Sequence, residues 1–330
     1  MQCRISGFLS TSNHPQNQSF LSEFQLPTIQ SSPPHQQFLS VPSHLNMAPK
    51  TWLVTGASSG LGTAIAEVAL HAGNKVIATA RNPAKAAKEN PQIEALGGTW
   101  LELDVTNVET PKKVQDAIQQ SGGAIDVVVN NAGYSLLGSI EDMSEAEIEN
   151  QFSTNVYGPV RVLKGVLPFM RAQRSGTIVN VSSIAGMDGL PSCAMYAGSK
   201  FALEGMSESL SRELAPFGIR VIIVEPGQFR TKFLSAFVEP AAGLNEDYIG
   251  TPLESTLKVF RTHDGKQTGD PTKAAQRVLD VVTGTGIGAG KENLLRLPLG
   301  PDCYQRFQAK LDAVQENLAQ AKDIAHSTNL

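Results

Sequence analysis

The sequence predicts an α/β fold, a doubly wound parallel sheet of about seven strands with helices on both faces. Three observations point to it. From Thr51 onward, short β-branched apolar runs alternate with longer helical patterns, the rhythm of parallel strands joined by helical crossovers. Several of the apolar runs are nearly continuous, as in strands buried on both faces. And a glycine-rich turn, "TGASSGLG" at 55–62, lies between the first strand and the first helix.

In order, the candidate strands are 51–55 (TWLVT), 75–80 (KVIATA), 99–103 (TWLEL), 126–130 (DVVVN), 176–182 (GTIVNVS), 219–225 (IRVIIVE) and 292–297 (ENLLRL). Helical stretches between them include "LGTAIAEVALHAG", "KKVQDAIQQSG" and "SKFALEGMSESLSRELAPFG". Gly73, Gly122 and Gly218 stand where these helices should stop. No repeat or linker interrupts 47–330, which reads as one domain. The stretch 228–270 breaks the rhythm, shows no strong strand, and reads as a substrate loop or lid.

Composition narrows the function classes. The chain of 330 residues carries 27 Lys and Arg against 31 Asp and Glu, and no basic run, which argues against nucleic acid. Cys3, Cys193 and Cys303 are far apart and match no zinc or disulfide pattern, as expected in a reducing, cytoplasmic compartment. No apolar run reaches the roughly 18 residues of a membrane helix. Residues 1–46 are rich in Ser, Gln, Pro, His and Asn and read as a disordered extension, with Met47 a candidate functional start. The extension lacks a signal-peptide core, although its shortage of acid leaves an organellar signal open.

Two motifs carry chemistry. In "TGASSGLG", Gly56, Gly60 and Gly62 permit a tight turn and a close approach to a pyrophosphate. The N–H groups that open the helix, around Thr55, Ser58, Ser59 and Leu61, would face its oxygens. The spacing is neither G-x-G-x-x-G nor a P-loop. In "YAGSK", Tyr196 and Lys200 lie four residues apart, on one face of a helix. A phenol is a poor acid-base group at neutral pH unless its anion is stabilised, and a cation at about 4–6 Å can lower its pKa by roughly 1–3 units. Ordinary packing of a core Tyr and a solvated Lys is the competing reading.

These motifs, with "NNAG" at 130–133, Asn155, "SS" at 182–183 and "PG" at 226–227, occur in the order and spacing of the short-chain dehydrogenase/reductase family. The sequence resembles that family over most of residues 50–300, and its hydroxysteroid/retinol dehydrogenase-like branch in particular. The resemblance implies a Rossmann-type fold and hydride transfer between a nicotinamide cofactor and a carbonyl/alcohol substrate of the steroid-like, retinoid-like or secondary-metabolite kind. It implies that Tyr196 exchanges the proton, that Lys200 tunes it and binds ribose, and that Ser183, thirteen residues before Tyr196, polarises the carbonyl. Strand alternation would turn Ser182 away. It further implies that Asn155 bends its helix and supports a water relay to Lys200. Asp104 and Val105 would border the adenine, Asp104 being equally able to cap the next helix. Asn131, Ala132 and Gly133 would pass close to the cofactor, with the Asn131 amide tying strands together. Pro226 and Gly227 would turn past the nicotinamide, Thr231 would contact its carboxamide or a phosphate, and Phe229 and Phe233 would line the substrate side. The family's habit of pairing helices implies a homodimer or homotetramer.

At the end of the second strand an acid would select NAD(H) by bonding the ribose 2′-hydroxyl. Here Ala80 is followed by Arg81, whose guanidinium suits a 2′-phosphate, so NADP(H) is preferred and NAD(H) stays open. Position 59, often basic in NADP-using relatives, is Ser. Rival readings are a cofactor sensor without turnover and a non-redox epimerase or dehydratase.

Overall fold

The computed structural model describes residues 48–329. The expectations for residues 1–46, Cys3 and Met47 lie outside them. The seven strands are β1 Thr51–Val54, β2 Lys75–Ala80, β3 Thr99–Glu102, β4 Val127–Asn130, β5 Gly176–Val181, β6 Ile219–Pro226 and β7 Arg296–Leu299. All pair in parallel, in the order β3-β2-β1-β4-β5-β6-β7. The helices are α1 Gly60–His71, α2 Pro83–Glu89, α3 Pro91–Ala95, α4 Thr110–Gln120, α5 Glu145–Phe152, α6 Gly158–Gln173, α7 Ala194–Leu214, α8 Pro252–Thr262, α9 Pro271–Thr283, α10 Pro301–Gln320 and α11 Lys322–His326. Among the described residues no helix is long and apolar enough to cross a membrane.

Strand alternation divides the core between the two faces of the sheet. On β1, Trp52 and Val54 pack with α1 and α9 residues such as Ile65 and Val278. Leu53 points the other way, into a cluster with Val114 of α4 and Val162 of α6. Both faces are covered, so β4 reads "VVVN" and is buried throughout.

The first six strands lie within a residue or so of expectation. The seventh does not. It runs over Arg296–Leu299 rather than 292–297. The preceding residues form a turn instead, in which the Leu294 N–H bonds the Lys291 carbonyl and the Gly290 N–H bonds the Glu292 side chain. Pro298 is tolerated because β7 is an edge strand, paired only with β6.

The stretch 228–270 also holds more order than its sequence suggested. It contains the helix α8, with Thr251 before it and Pro252 at its first position. It is fastened to the β4–α5 connection by a bridge from Leu136 to Val238 and by the Asn245 N–H to Asp142 Oδ2 (3.0 Å), and to the first turn of α5 by the Ala241 N–H to Glu147 Oε1 (2.8 Å).

Between α5 and α6 the helix widens into one π-turn, Ser153–Tyr157, with Asn155 at its centre. Such bulges are a recognised cause of helix bending.

Candidate active site

The carboxyl ends of the strands open into a cleft of about 870 Å³. At one end is the glycine turn. Gly56 and Gly60 both have φ +62°, the left-handed region. A Cβ on Gly62 would stand 2.4 Å from both Asn131 Nδ2 and the Gly56 carbonyl. One on Gly56 would stand 2.8 Å from Ala132 Cα. The turn is locked to β4 by polar bonds. Thr55 Oγ1 accepts the N–H groups of Asn131 (2.9 Å) and Ala132 (3.1 Å), and Asn131 Nδ2 donates to the Thr55 (3.0 Å) and Gly56 (3.1 Å) carbonyls. Ser59 is the N-cap of α1, yet its side chain makes no capping bond. Ser58, Ser59, Gly60 and Leu61 line the cleft, so the first turn of α1 presents donors to it.

Arg81 follows β2 at the rim of the cleft, exposed, beside the buried Ala80. Asp104 faces the same end. Burial would raise its carboxyl, but the Thr106 N–H (2.9 Å), the Thr106 hydroxyl (2.7 Å) and the nearby Arg81 and Arg161 outweigh burial and hold it below the usual range. It does not cap α4, whose N-cap is Glu109; it closes the turn at Thr106 instead. Val105 is buried against Gly158.

Midway along, β5 delivers the two serines. Ser183 caps the short turn Ile184–Gly186 by accepting the Ala185 N–H (3.1 Å). The Ser182 hydroxyl and the Glu204 carboxyl converge on Gly186. α7 then brings Tyr196 and Lys200 to the cleft on one face, both buried. Burial pushes the phenol up to about 12, against a hydrogen bond from Ser183, and a nearby Cys193 adds to the rise. Burial brings Lys200 down to about 8, opposed by Glu204.

Lys200 Nζ donates to the Val181 carbonyl (2.9 Å) and lies 5.9 Å from the Tyr196 ring centroid, and burial is the largest influence on the phenol.

Asn155 spends its whole amide on holding elements together. Oδ1 accepts the Tyr134 N–H (3.2 Å), and Nδ2 donates to the Tyr134 carbonyl (3.0 Å) and to Ser199 Oγ (3.0 Å). Ser199 in turn donates to the Tyr196 carbonyl (2.7 Å). A Cβ on Gly133 would stand 3.1 Å from Asn155 Oδ1 and 3.6 Å from Lys200 Nζ, so Gly133 leaves the space between them open. Ser199 was not singled out from the sequence, although it sits inside "YAGSK". Buried on the Tyr196 helix, it is the link between the π-turn and the tyrosine.

Beyond β6, Pro226 and Gly227 line the cleft. A Cβ on Gly227 would strike Asp302 Oδ2 at 2.3 Å, and the same carboxylate accepts the Gln228 N–H (2.8 Å). Thr231 stands over Gly60, 3.4 Å from where its Cβ would be. Phe233 faces Tyr196, with ring centroids 5.8 Å apart, whereas Phe229 packs partly against the core. Leu137, Leu190, Val238, Val259 and Phe260 complete an apolar wall. Cys193 is buried and its thiol is pushed up to about 11, which leaves it un-ionised. Arg306 of α10 closes that side by donating to Asp188 Oδ2 (2.9 Å) and the Asp188 carbonyl (3.1 Å).

A Rossmann-type sheet with a glycine turn at one end of the cleft and a Ser-Tyr-Lys cluster midway defines an oxidoreductase of the α/β class. A family model described as short chain dehydrogenase matches residues 50–241. Oxidoreductase claN of Passalora fulva is 50% identical over 209 residues, 63% of this chain and 94% of that one. Human retinol dehydrogenase 8 is 43% identical over 222 residues, 65% of this chain and 69% of that one. A short-chain dehydrogenase structure from Streptomyces avermitilis superposes with a TM-score of 0.75 at 36% identity, covering 86% of this chain and all of that one. The chain belongs to the short-chain dehydrogenase family.

Proposed function

We propose that this oxidoreductase reduces a carbonyl to an alcohol with NADP(H). The observation that carries the reading is the buried Ser183–Tyr196–Lys200 cluster, opening onto the same cleft as the glycine turn. The residues fit a dinucleotide. The turn admits no side chain at Gly56 or Gly62, and Ser59 leaves the start of α1 without a side-chain cap. When bound there, the cofactor supplies or accepts the hydride. Gly56 and Ser58–Gly62 would hold its pyrophosphate, with Thr231, which stands beside Gly60, on the phosphate side. Arg81 would meet a 2′-phosphate with paired N–H donors, in a rim that offers no acid at position 80.

Tyr196, with its phenol pushed up to about 12, keeps its proton at neutral pH and can donate it to a carbonyl oxygen. Ser183 holds the carbonyl oxygen against the phenol as that oxygen gains charge. Lys200 is charged at neutral pH, since its pKa lies near 8, and stabilises the phenolate left behind. Asn155, through Ser199, fixes the Tyr196 helix. The apolar wall with Phe233 supports a hydrophobic ketone as substrate, such as a retinoid-like, steroid-like or secondary-metabolite ketone. Pairing of copies through the apolar groove of α6 and α7 (Leu163, Leu167, Met206, Leu210) would make a homodimer or homotetramer, which a sizing column would show.

The test is oxidation of NADPH and of NADH over a panel of hydrophobic ketones and quinones, with Tyr196→Phe as control. Turnover lost in the variant while NADPH still binds supports the reading. Binding with no turnover of any carbonyl would favour a cofactor sensor, and product formation with no net NADPH change a non-redox use of the site.

A further inference from the structure

Behind the tyrosine and lysine lies a charge cluster that this chemistry does not use. Arg296, from the edge strand β7, bonds Glu204 through Nη1 and Glu208 through Nη2, and the same Nη1 lies 2.6 Å from Glu225 Oε1. Glu204 sits one turn beyond Lys200 and is 3% exposed; Glu225, next to Pro226, is fully buried. One oxygen of each, Glu204 Oε1 and Glu225 Oε2, finds no donor among the described residues. The two carboxyl groups converge on one nitrogen, Arg296 Nη1. Two carboxylates held that close repel each other, and a proton on one of them relieves the repulsion.

Counting the charges that face the cluster gives the same answer. α7 contributes Lys200, Glu204 and Glu208, β6 contributes Glu225, and β7 contributes Arg296. From α10, Cys303 donates its thiol to the Glu225 carbonyl (3.0 Å) and stays neutral, its pKa pushed up to about 12, while Asp302 and Arg306 nearby carry opposite charges. Three ionised acids would exceed Arg296 and Lys200 by one negative charge. One retained proton balances them, and a buried excess charge is strongly disfavoured.

We propose that Glu204 and Glu225 are positioning residues of the hydride-transfer site, sharing one proton across the Arg296 guanidinium and so holding three parts of the site in register. The parts are the Ser182–Ser183 turn, which packs with Glu204 on Gly186; the Lys200 helix, which carries Glu204; and the Pro226–Gly227 turn, which follows Glu225. The inference rests on the oxidoreductase reading for what is positioned, but not for the shared proton. Burial and the Glu204 charge raise Glu225 to about 7, so the clamp loses its proton on the alkaline side of neutrality.

The experiment compares the full chain with its Glu225→Gln variant, whose carboxamide keeps a donor for Glu204 and an acceptor for Arg296 at every pH. Thermal melting is followed from about pH 5 to pH 9. An acid whose folded pKa lies above its unfolded value binds more protons when folded. Stability therefore falls as pH rises from the ordinary value of 4.5 to about 7, then levels off. The wild type should lose several degrees over that window, and the variant should lack that fall and melt at or above the wild type at about pH 8. Parallel curves for the two proteins would overturn the shared proton. Should Glu225→Gln fail to fold, Glu204→Gln makes the same comparison.

Positioning is read from pH profiles. The wild-type kcat should decline from about pH 7 with KM little changed, and Glu225→Gln should move that limb towards the Lys200 value near 8. Identical profiles would overturn the positioning role. If no carbonyl is turned over by the wild type, the oxidoreductase reading fails by itself, and NADPH fluorescence titration takes the place of kcat. Binding that weakens above about pH 7 in the wild type but not in the variant supports the clamp, and equal pH dependence overturns it.

Discussion

Gly62→Ala is the sharpest probe of the dinucleotide cradle, because its neighbours cannot yield. The added Cβ would lie 2.4 Å from Asn131 Nδ2 and 2.4 Å from the Gly56 carbonyl. The carbonyl is backbone, in a turn fixed by the left-handed Gly56 and Gly60. The amide is anchored by donating to the Thr55 and Gly56 carbonyls. Relief therefore requires breaking those two bonds, at about 1 kcal/mol each, on top of roughly 1–3 kcal/mol of overpacking. The sum is about 3–5 kcal/mol. It must show in one of two places. If the fold carries it, the melting temperature drops by roughly 6–20 °C, at about 2–4 °C per kcal/mol for a domain of this size. If the turn opens instead, NADPH binding weakens by about two to three and a half orders of magnitude, at about 1.4 kcal/mol per tenfold. Thermal melting and NADPH fluorescence titration read both on one sample. Gly73→Ala is the control. It has φ +80° but nothing within 4 Å of the added carbon, so only backbone strain of about 1 kcal/mol applies. A Gly62→Ala protein that melts and binds NADPH like the wild type would refute the cradle.

Three further outcomes are expected. Arg81→Ala should cut the ratio of kcat/KM for NADPH over NADH by about 10- to 100-fold, the worth of a charged hydrogen bond, and an unchanged ratio would remove Arg81 from cofactor choice. Tyr196→Phe should lower turnover by about 10²–10⁴-fold with NADPH affinity within about twofold, measured by steady-state kinetics and titration. In Glu225→Gln, where the acid pair no longer titrates, turnover should fall as pH rises past about 8, because burial has brought the Lys200 ammonium down to that value and its charge is lost there; a flat profile to about pH 10 would show that the charge is not needed.

Most of the fold was legible because its signals are local. Near-continuous runs such as "VVVN" state that both faces of a strand are covered, and turn glycines mark where helices end. The seventh strand was misplaced because "ENLLRL" is as apolar as a strand while its first residues are spent on a turn. α8 went unread for a different reason. Its segment lacked the strand that sets the rhythm, so the N-cap at Thr251 and the Pro after it were passed over.

At the site, residue identities were legible and the energetics were not. Four-residue spacing shows that Tyr196 and Lys200 share a helix face. It does not show that the lysine turns to the Val181 carbonyl, or that burial is the largest influence on the phenol. The partners of Asn155, and the Glu204–Glu225–Arg296 cluster, join residues 21 to 92 positions apart, a separation no local pattern reports. Asp302 lies 74 positions from Gln228 and yet explains why residue 227 has no side chain.

That last contact shows how far along the chain the support for the cleft comes from. A protein trimmed to residues 50–241 would retain every residue of the tyrosine cluster. It would lack the carboxylate that braces Gln228, the thiol that reaches the Glu225 carbonyl and the guanidinium that pins Asp188. Both walls of the cleft are buttressed from the far end of the polypeptide, and a chain ended before Arg306 should lose part of that support.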